Sequence, residues 1–286
     1  MPDAIFQGTL VVVVLGILAS LGWGLGDFGG GLASRRAPVL GVLVTSQVAS
    51  LSVGIPMVLL VKEPAMSEQD VVLAVIAGLL GASGLALLYR GLSVGRMTVV
   101  APVAAMITAA LPVTYGFLTE GAPSNLAIAG IAAAAVGVVL VSVSPAAKAD
   151  GPRGLRYGVV TGIVFGLFPI VTSGISDDVL VGPVVTVRLA SIVTVLALII
   201  LGRQQWHVPR RLWPAMLGIG LADMLATAAY LAAIAVGPLA IAAILTSLYP
   251  VVTVLLAALV LRERITPLHA VGILAAGLAV VLIAVG

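Results

Sequence analysis

The sequence contains no cysteine, and only 9% of its 286 residues are charged. The absence of cysteine excludes disulfides, thiolate metal ligands and a cysteine nucleophile. Soluble domains carry about 25% charged residues, so this chain has too few to cover a water-exposed surface. Aromatic residues make up only 5% of the chain, whereas hydrophobic residues make up 61%, and the mean hydropathy is +1.26. The composition therefore predicts a protein embedded in lipid.

Apolar runs of about 20 residues recur along the chain, and they are apolar on all sides, which is typical of membrane-spanning helices. Helices and closed barrels are the only folds that satisfy backbone polar groups in a bilayer, and barrel strands would alternate polar and apolar residues. The first run has no basic segment before it and is too long for the core of a secretory signal, so we expect it to remain as a span. We predict an all-α polytopic membrane protein with ten transmembrane helices at about 8–33, 38–61, 70–91, 97–118, 125–143, 155–175, 180–201, 212–235, 238–260 and 267–285.

The positive charges are concentrated in alternate loops. The 14 lysines and arginines include Lys62, in the loop between spans 2 and 3, and Arg188, inside span 7. The remaining 12 lie in or beside loops 1–2, 3–4, 5–6, 7–8 and 9–10. The positive-inside rule places those five loops in the cytoplasm. We therefore predict a multi-pass protein of the cytoplasmic (inner or plasma) membrane, with both termini extracytoplasmic.

The two halves of the chain agree with each other at an offset near 142 residues. TSQVASL (45–51) aligns with TVRLASI (186–192), AGI (129–131) with VGI (271–273), and VVL (138–140) with VVL (280–282). Each half holds five predicted spans, and an odd number makes the second half cross the membrane in the opposite direction. The sequence therefore predicts two inverted five-helix repeats, residues 1–146 and residues 147–286.

Several short motifs resemble a known family. They are the WG pair at 23–24, the stretch GRMTVVAPVAA (95–105), and glutamates followed by PSNLAIAGI or TPLHAVGI. With the two five-helix repeats, they resemble the EamA-type members of the drug/metabolite transporter superfamily. This resemblance implies a secondary transporter. Family members are usually drawn with both termini in the cytoplasm, whereas the charges here predict the reverse.

Three ionisable residues lie inside predicted spans: Asp27, Arg188 and Asp223. A charge in hydrocarbon costs about 2.5–3.5 kcal/mol even on lenient scales, so such residues are functional candidates. Arg188 and Asp223 lie on consecutive antiparallel helices at similar depth, and we predict an intramembrane ion pair. A purely structural pair is the alternative. Asp27 and Asp223 are the proton-coupling candidates, because burial raises a carboxyl pKa toward working pH.

Polar and aromatic residues on several spans predict a central substrate cavity between the repeats. Asp223, Thr227 and Tyr230 share one helix face at i, i+4 and i+7, and Tyr89 is the approximate repeat partner of Tyr230. The alternatives are ordinary helix packing for the aromatic rings, and hydroxyl bonds to the same helix for Ser and Thr. The candidate substrate-binding residues are Trp23, Asp27, Tyr89, Thr108, Phe165, Phe168, Asp223, Thr227, Tyr230, Ser247 and Tyr249. Pro102, Pro112, Pro169 and Pro250 are expected to kink their helices.

Gly24, Gly26 and Gly29 match the dinucleotide-binding pattern G-x-G-x-x-G, but they lie inside a predicted span and not after a short strand. We interpret the segment instead as a transmembrane helix in which Gly22, Gly26 and Gly30 let a neighbour approach closely. Span 6 carries a similar stripe at Gly158, Gly162 and Gly166. Asp27 and Gln47 lie at similar distances from the loop that joins spans 1 and 2, so the two side chains are expected to meet.

The sequence predicts a secondary transporter of small metabolites that works by alternating access, with proton coupling as an option. By resemblance, export of amino acids or related compounds is favoured. The alternatives are a lipid-carrier flippase, a sugar or nucleotide-sugar uptake carrier, and a membrane-embedded lipid-modifying enzyme. We expect no cofactor, no metal and no catalytic residues, since no P-loop or paired metal ligands occur. The expected partners are a small-molecule substrate and the lipid bilayer, without nucleic acid; the oligomeric state is left open and is compatible with a monomer.

Overall fold

The structure, a computed structural model, describes the backbone of residues 2–94, 97–142, 152–262 and 265–286, and the side chains of residues 10–88, 103–141, 156–262 and 265–286. Within these ranges the chain is helical and contains no strand. A 3-10 turn, Arg210–Leu212, precedes α8. The helices are α1 (Pro2–Ser34), α2 (Val39–Leu60), α3 (Glu68–Val94), α4 (Met97–Thr119), α5 (Asn125–Ser142), α6 (Pro152–Thr172), α7 (Val181–Leu201), α8 (Trp213–Val236), α9 (Leu239–Thr246), α10 (Tyr249–Val260) and α11 (Pro267–Val285).

The helices follow the predicted spans closely. One helix corresponds to each span except the ninth, which is divided into α9 and α10, and α1 begins six residues earlier than expected. Seven segments are long and apolar enough to cross a membrane, and the described parts of α4, α5 and α6 are shorter apolar helices. The chain is therefore a multi-pass membrane protein.

The break in the ninth span lies at Ser247 and Leu248, directly before the Tyr249–Pro250 pair. Proline has no backbone N–H and cannot continue the ladder of hydrogen bonds. Of the other proline kinks expected from the sequence, α4 runs through Pro112 and α6 runs through Pro169 without a break. The side chain of Pro102 lies outside the described residues. The interruption is thus confined, within the described ranges, to the start of α10.

The glycine-rich segment of α1 is continuous helix, as interpreted from the sequence. A methyl group on Gly22 would meet the α8 backbone oxygen of Ala222 at 2.7 Å, so this glycine allows the two helices to touch. The predicted stripe weakens at Gly26, where a methyl would be in ordinary van der Waals contact with α8, and it is wrong at Gly30. The space beside Gly30 is open within 4 Å, and the nearest atom to a methyl on Gly26 is 3.8 Å away.

Helix packing follows a pattern that repeats between the halves. The first and fourth helices of the first half each pack on a helix of the second half: α1 packs on α8, and α4 packs on α6. The corresponding contacts, five spans further on, are α6 on α3 and the divided ninth span on α1. The small residues Gly162 and Gly166 lie in the contact between α6 and α4.

The contact between α5 and α11 is reciprocal. A methyl group on Gly130 of α5 would meet Ile283 Cγ1 of α11 at 2.6 Å. A methyl group on Gly272 of α11 would meet Val141 Cγ2 of α5 at 2.7 Å. Gly272 lies 142 positions after Gly130, and Ile283 lies 142 positions after Val141. The sequence repeat thus corresponds to a repeated spatial contact.

At one end of the bundle, three carboxylates of the first half accept hydrogen bonds from the second half. Glu63 accepts from the backbone N–H groups of Val181 and Gly182, with shortest distances of 2.9 and 3.3 Å, at the start of α7. A negative charge at this position is favourable, because the first turn of a helix has unpaired N–H groups and a partial positive charge.

The other two carboxylates are Asp70 and Glu120. Asp70, which is 2% exposed, accepts from the backbone N–H of Ser176 at 2.9 Å and from its hydroxyl at 3.0 Å. Glu120 accepts from the backbone N–H of Leu239, the first residue of α9, at 2.9 Å. We call Glu63, Asp70 and Glu120 the carboxylate contacts. All three join loops 2–3 and 4–5 to loops 6–7 and 8–9.

Candidate functional site

A cavity of about 210 Å³ lies among the helices of both halves. Its wall receives residues from α1, α2, α3, α4, α6, α7, α8 and α9, and from the first residue of α10. Nine of the candidate substrate-binding residues line it: Trp23, Asp27, Thr108, Phe165, Phe168, Asp223, Thr227, Ser247 and Tyr249. Their convergence from separate spans follows from the packing of α1, α6 and α8 around one space.

Arg188 and Asp223 are in direct contact in the cavity wall. Arg188 Nη1 donates to Asp223 Oδ2, and Arg188 Nη2 donates to the backbone oxygen of Asp223 at 2.8 Å. Nη2 also donates to the hydroxyl of Thr227, one turn further along α8. Arg188 is 5% exposed, and its Nε has no described partner. A buried guanidinium held by three acceptors of one neighbouring helix fixes α7 against α8.

Asp27 and Gln47 both line the cavity, but no hydrogen bond joins them. The two side chains therefore lie around the same space at similar depth, as expected from the sequence. Gln47 is 7% exposed and its Oε1 has no partner among the described residues. Asp27 belongs to the exposed side chains of α1 and makes no described hydrogen bond or ion pair. Its carboxylate lies in the cavity wall, where a ligand or water can reach it.

Tyr230 does not line the cavity and lies behind its wall. Its side chain is fully buried, and its ring centroid lies 5.6 Å from that of Trp23 and 6.0 Å from that of Phe168. The Thr172 hydroxyl donates to the Tyr230 oxygen at 3.3 Å. Asp223 and Thr227 lie on the same face of α8 as Tyr230 and line the cavity. At the position of Tyr230, however, this face of α8 packs against α1 and α6. The role of Tyr230 is therefore to support two aromatic rings of the wall. The side chain of its proposed repeat partner, Tyr89, lies outside the described residues.

The hydroxyl groups of the interrupted ninth span donate to their own backbone. Thr246 Oγ1 donates to the oxygen of Ala243 at 3.0 Å, and Ser247 Oγ donates to the oxygen of Ile244 at 2.7 Å. Both residues line the cavity at the break between α9 and α10. Discontinuous helices of this kind are typical of transporter binding sites, since they bring backbone polar groups to the ligand.

Three polar residues of the wall are not among the substrate-binding residues predicted from the sequence: Gln47, Ser191 and Thr246. Ser191 lies three residues after Arg188 on α7, and residues at this spacing share one face of a helix. The position of Arg188 could therefore have predicted that Ser191 lines the cavity. Gln47 was noticed only as a partner for Asp27. Thr246 had no signal that separated it from a hydroxyl bonded to its own helix.

Both the sequence and the fold are similar to known proteins. Residues 152–285 match the EamA-like transporter family. One solved crystal structure of a protein is similar over 95% of both chains, with 16% sequence identity and a TM-score of 0.76, which shows a shared fold. No curated protein matches the chain. The match and the bundle of apolar helices support assignment to the EamA type of the drug/metabolite transporter superfamily, a family of membrane transporters of small molecules.

Proposed function

We propose that the protein is a secondary transporter that moves a small metabolite across the cytoplasmic membrane by alternating access. The observation that carries the proposal is the cavity of about 210 Å³ at which both halves meet and one span is interrupted. A ligand bound there contacts α1 and α6, the first helices of the two halves. Relative movement of the halves would then expose it to one side at a time.

The proposal includes an internal symmetry. We infer that residues 1–146 and 147–286 are inverted repeats related by a pseudo-two-fold axis that passes between α5 and α11. The reciprocal contacts of Gly130 with Ile283 and of Gly272 with Val141 support this axis, because a two-fold operation exchanges them. Two halves of similar structure are suited to exchange their arrangements, so that the cavity opens first to one side of the membrane and then to the other.

The size of the cavity favours a small metabolite. Pockets for drug-sized ligands are about 300–1,000 Å³, and this cavity is smaller. A nucleotide sugar or a lipid-linked saccharide would need more room, so the flippase and nucleotide-sugar alternatives are less favoured. Amino acids and related amino compounds, with export as the direction, remain the leading class. Within this proposal, Asp27 and Asp223 are the carboxylates available for proton coupling.

The carboxylate contacts are proposed as the extracytoplasmic gate. They join the halves at the end that the charge distribution assigns to the outside. Each links a first-half carboxylate to backbone N–H groups of the second half. Opening the cavity to the outside would require them to separate.

Transport is tested with purified protein in proteoliposomes. Radiolabelled amino acids, sugars and organic cations are offered with and without a pH gradient, and a protonophore is added as a second condition. Protein-dependent movement of a solute supports the proposal, and loss of that movement with the protonophore supports proton coupling. If no solute moves and lipid conversion is detected, the transporter proposal is wrong and the lipid-enzyme alternative replaces it.

A further inference from the structure

Four hydroxyl groups of the cavity wall use their hydrogen atoms on the protein itself. Ser191 Oγ donates across to the backbone oxygen of Gly78 on α3 at 3.0 Å. Thr246 and Ser247 donate within their own helix, as described above, and Thr227 donates to the backbone oxygen one turn before it at 2.9 Å. A hydroxyl has one hydrogen and two lone pairs. These groups therefore offer a ligand acceptors and not donors.

The positive charge of the wall is also engaged. Both terminal nitrogens of Arg188 bond to acceptors of α8, and the side chain is 6% exposed. The side chain of Asp223 keeps 32% exposure despite this pair. Among the described lining residues, Asp27 and Asp223 carry negative charge and Arg188 alone carries positive charge. With both carboxylates ionised, the described wall has a net charge of −1 and attracts a cation.

Because Arg188 pairs with Asp223, the carboxylate of Asp27 has no ion-pair partner among the described residues. It lies one helical turn after Trp23, on the same face of α1, and both residues line the cavity. An unpaired carboxylate within the membrane is costly unless it takes up a proton or meets a cation. An ammonium group at this position would pair with the carboxylate and lie beside an indole ring, which also attracts cations.

The remaining wall is largely apolar. Phe165, Phe168 and Leu85 provide apolar surface. A ligand carboxylate would be repelled by the net negative charge of the described wall, in which Arg188 is already paired with Asp223. A ligand with one ammonium group and a compact apolar body satisfies the wall better than a zwitterion does.

We infer that the ligand is a small organic amine whose ammonium group binds the carboxylate of Asp27 while its apolar body contacts Phe165 and Phe168. This inference rests on the proposed transport function and narrows its substrate class. Among amino acids and related compounds, the site selects those that carry the amino group without a free carboxylate.

Three ligands with the same ring separate the possibilities: 2-phenylethylamine (cation), phenylalanine (zwitterion) and 3-phenylpropionate (anion). Binding is measured on the full-length protein in detergent, by ligand-induced thermal stabilisation and by tryptophan fluorescence. Both 2-phenylethylamine and phenylalanine carry an ammonium group, but the carboxylate of phenylalanine is repelled by the net negative wall. We therefore expect the amine to bind about tenfold more tightly, which corresponds to about 1.4 kcal/mol. 3-Phenylpropionate is expected to bind most weakly.

The variants Asp27→Asn and Asp27→Glu test the residue itself, with Asp177→Asn in the exposed loop before α7 as the matched control. Asp27→Asn should lose about tenfold in amine affinity, Asp27→Glu should retain most of it, and Asp177→Asn should behave as the unmodified protein. If Asp27→Asn does not fold, the order of the three ligands on the unmodified protein and the Asp27→Glu result decide the matter.

Equal binding of amine and zwitterion, or unchanged amine affinity in Asp27→Asn, would overturn the inference. Failure of the proposed function gives a different result. In that case the amine binds in detergent and depends on Asp27, yet proteoliposomes move no solute. Conversely, transport of phenylalanine without any preference for the amine would leave the transporter proposal standing and would contradict the amine site.

Discussion

Arg188 of α7 bonds both to the carboxylate of Asp223 on α8 and to the backbone oxygen of the same residue, at 2.8 Å for the latter. The guanidinium is 5% exposed, whereas the Asp223 side chain is 32% exposed at the cavity. The two partners therefore differ in how much water can reach them when the other is removed. Removing one partner of a buried pair costs about 3–5 kcal/mol.

The unequal exposure predicts unequal effects. Asp223→Asn leaves a buried cation without its counter-charge and should lower the thermal stability in detergent more than Arg188→Gln does. The double variant Arg188→Gln/Asp223→Asn should lose less than the sum of the two, because no unpaired charge remains. A thermal unfolding series with proteoliposome transport checks this. If the double variant folds normally and still transports, the pair is structural only.

The helical architecture was predictable because membrane spans are set by length and hydropathy, which are read directly from the chain. The ten predicted spans correspond to the observed helices to within a few residues in most cases. The break in the ninth span was anticipated only as a kink at Pro250. The glycine stripe of α1 failed at Gly30, whereas Gly29 is the residue that closely approaches Ile219 of α8. Spacing alone did not reveal which glycine faces the neighbouring helix.

The residues of the candidate site were predictable where a charged side chain lies within an apolar membrane span, because such a charge is energetically costly in lipid. Asp27, Arg188 and Asp223 stood out by charge alone, and all three line the cavity. Tyr230 could not be placed correctly from periodicity, since one part of its face of α8 lines the cavity and another part packs against α1 and α6.

The Ser67–Asp70 capping arrangement, with Ser67 N–H donating to Asp70 at 2.9 Å, was visible as an S-x-x-D pattern before an apolar run.

The second prediction concerns the carboxylate contacts. Glu63→Ala and Glu120→Ala remove the acceptors at the starts of α7 and α9, each of which stabilises its helix end by about 1 kcal/mol. If these contacts hold the outer gate, their loss should expose the cavity to the outside. Because the chain has no cysteine, Thr108→Cys in the cavity wall serves as a unique label site.

Labelling with a membrane-impermeant thiol reagent in intact cells measures this exposure. We expect faster modification of Thr108→Cys in the Glu63→Ala and Glu120→Ala backgrounds. Glu68→Ala is the matched control, because Glu68 is exposed and makes no described hydrogen bond. Equal labelling rates in all three backgrounds would show that the carboxylate contacts do not gate access.

The third prediction concerns membrane orientation. Lys62 and Arg211 are both exposed and lie in loops at opposite ends of the bundle. The positive-inside rule assigns Lys62 to the outside and Arg211 to the cytoplasm. Lys62→Cys should therefore react with an impermeant reagent in intact cells, and Arg211→Cys only after permeabilisation. A reporter that functions only in the cytoplasm can be fused after Gly286. Activity of this fusion would contradict the extracytoplasmic assignment of the C-terminus.

The fourth prediction concerns the support of the aromatic wall. Tyr230→Ala removes the ring against which Trp23 and Phe168 pack and should cost about 3–5 kcal/mol of stability. Tyr230→Phe keeps the ring and loses only one hydrogen bond, and Thr172 still donates to the oxygen of Phe168 at 2.9 Å. We expect an increased KM in Tyr230→Ala and nearly normal transport in Tyr230→Phe. A similar loss of transport in both would assign the function to the hydroxyl and not to the ring.

The fifth prediction tests the internal symmetry through the contact between α5 and α11. Gly130→Ala and Gly272→Ala place a methyl group 2.6 Å from Ile283 and 2.7 Å from Val141, respectively. Overpacking of this kind costs about 1–3 kcal/mol, and residues related by the proposed two-fold axis should show similar losses in thermal stability. Gly277→Ala is the control: it lies on the same helix with open space around it, so the higher helix propensity of alanine should make it neutral or slightly stabilising. A large loss at only one of the two contact glycines would argue against equivalent environments, and hence against the axis between α5 and α11.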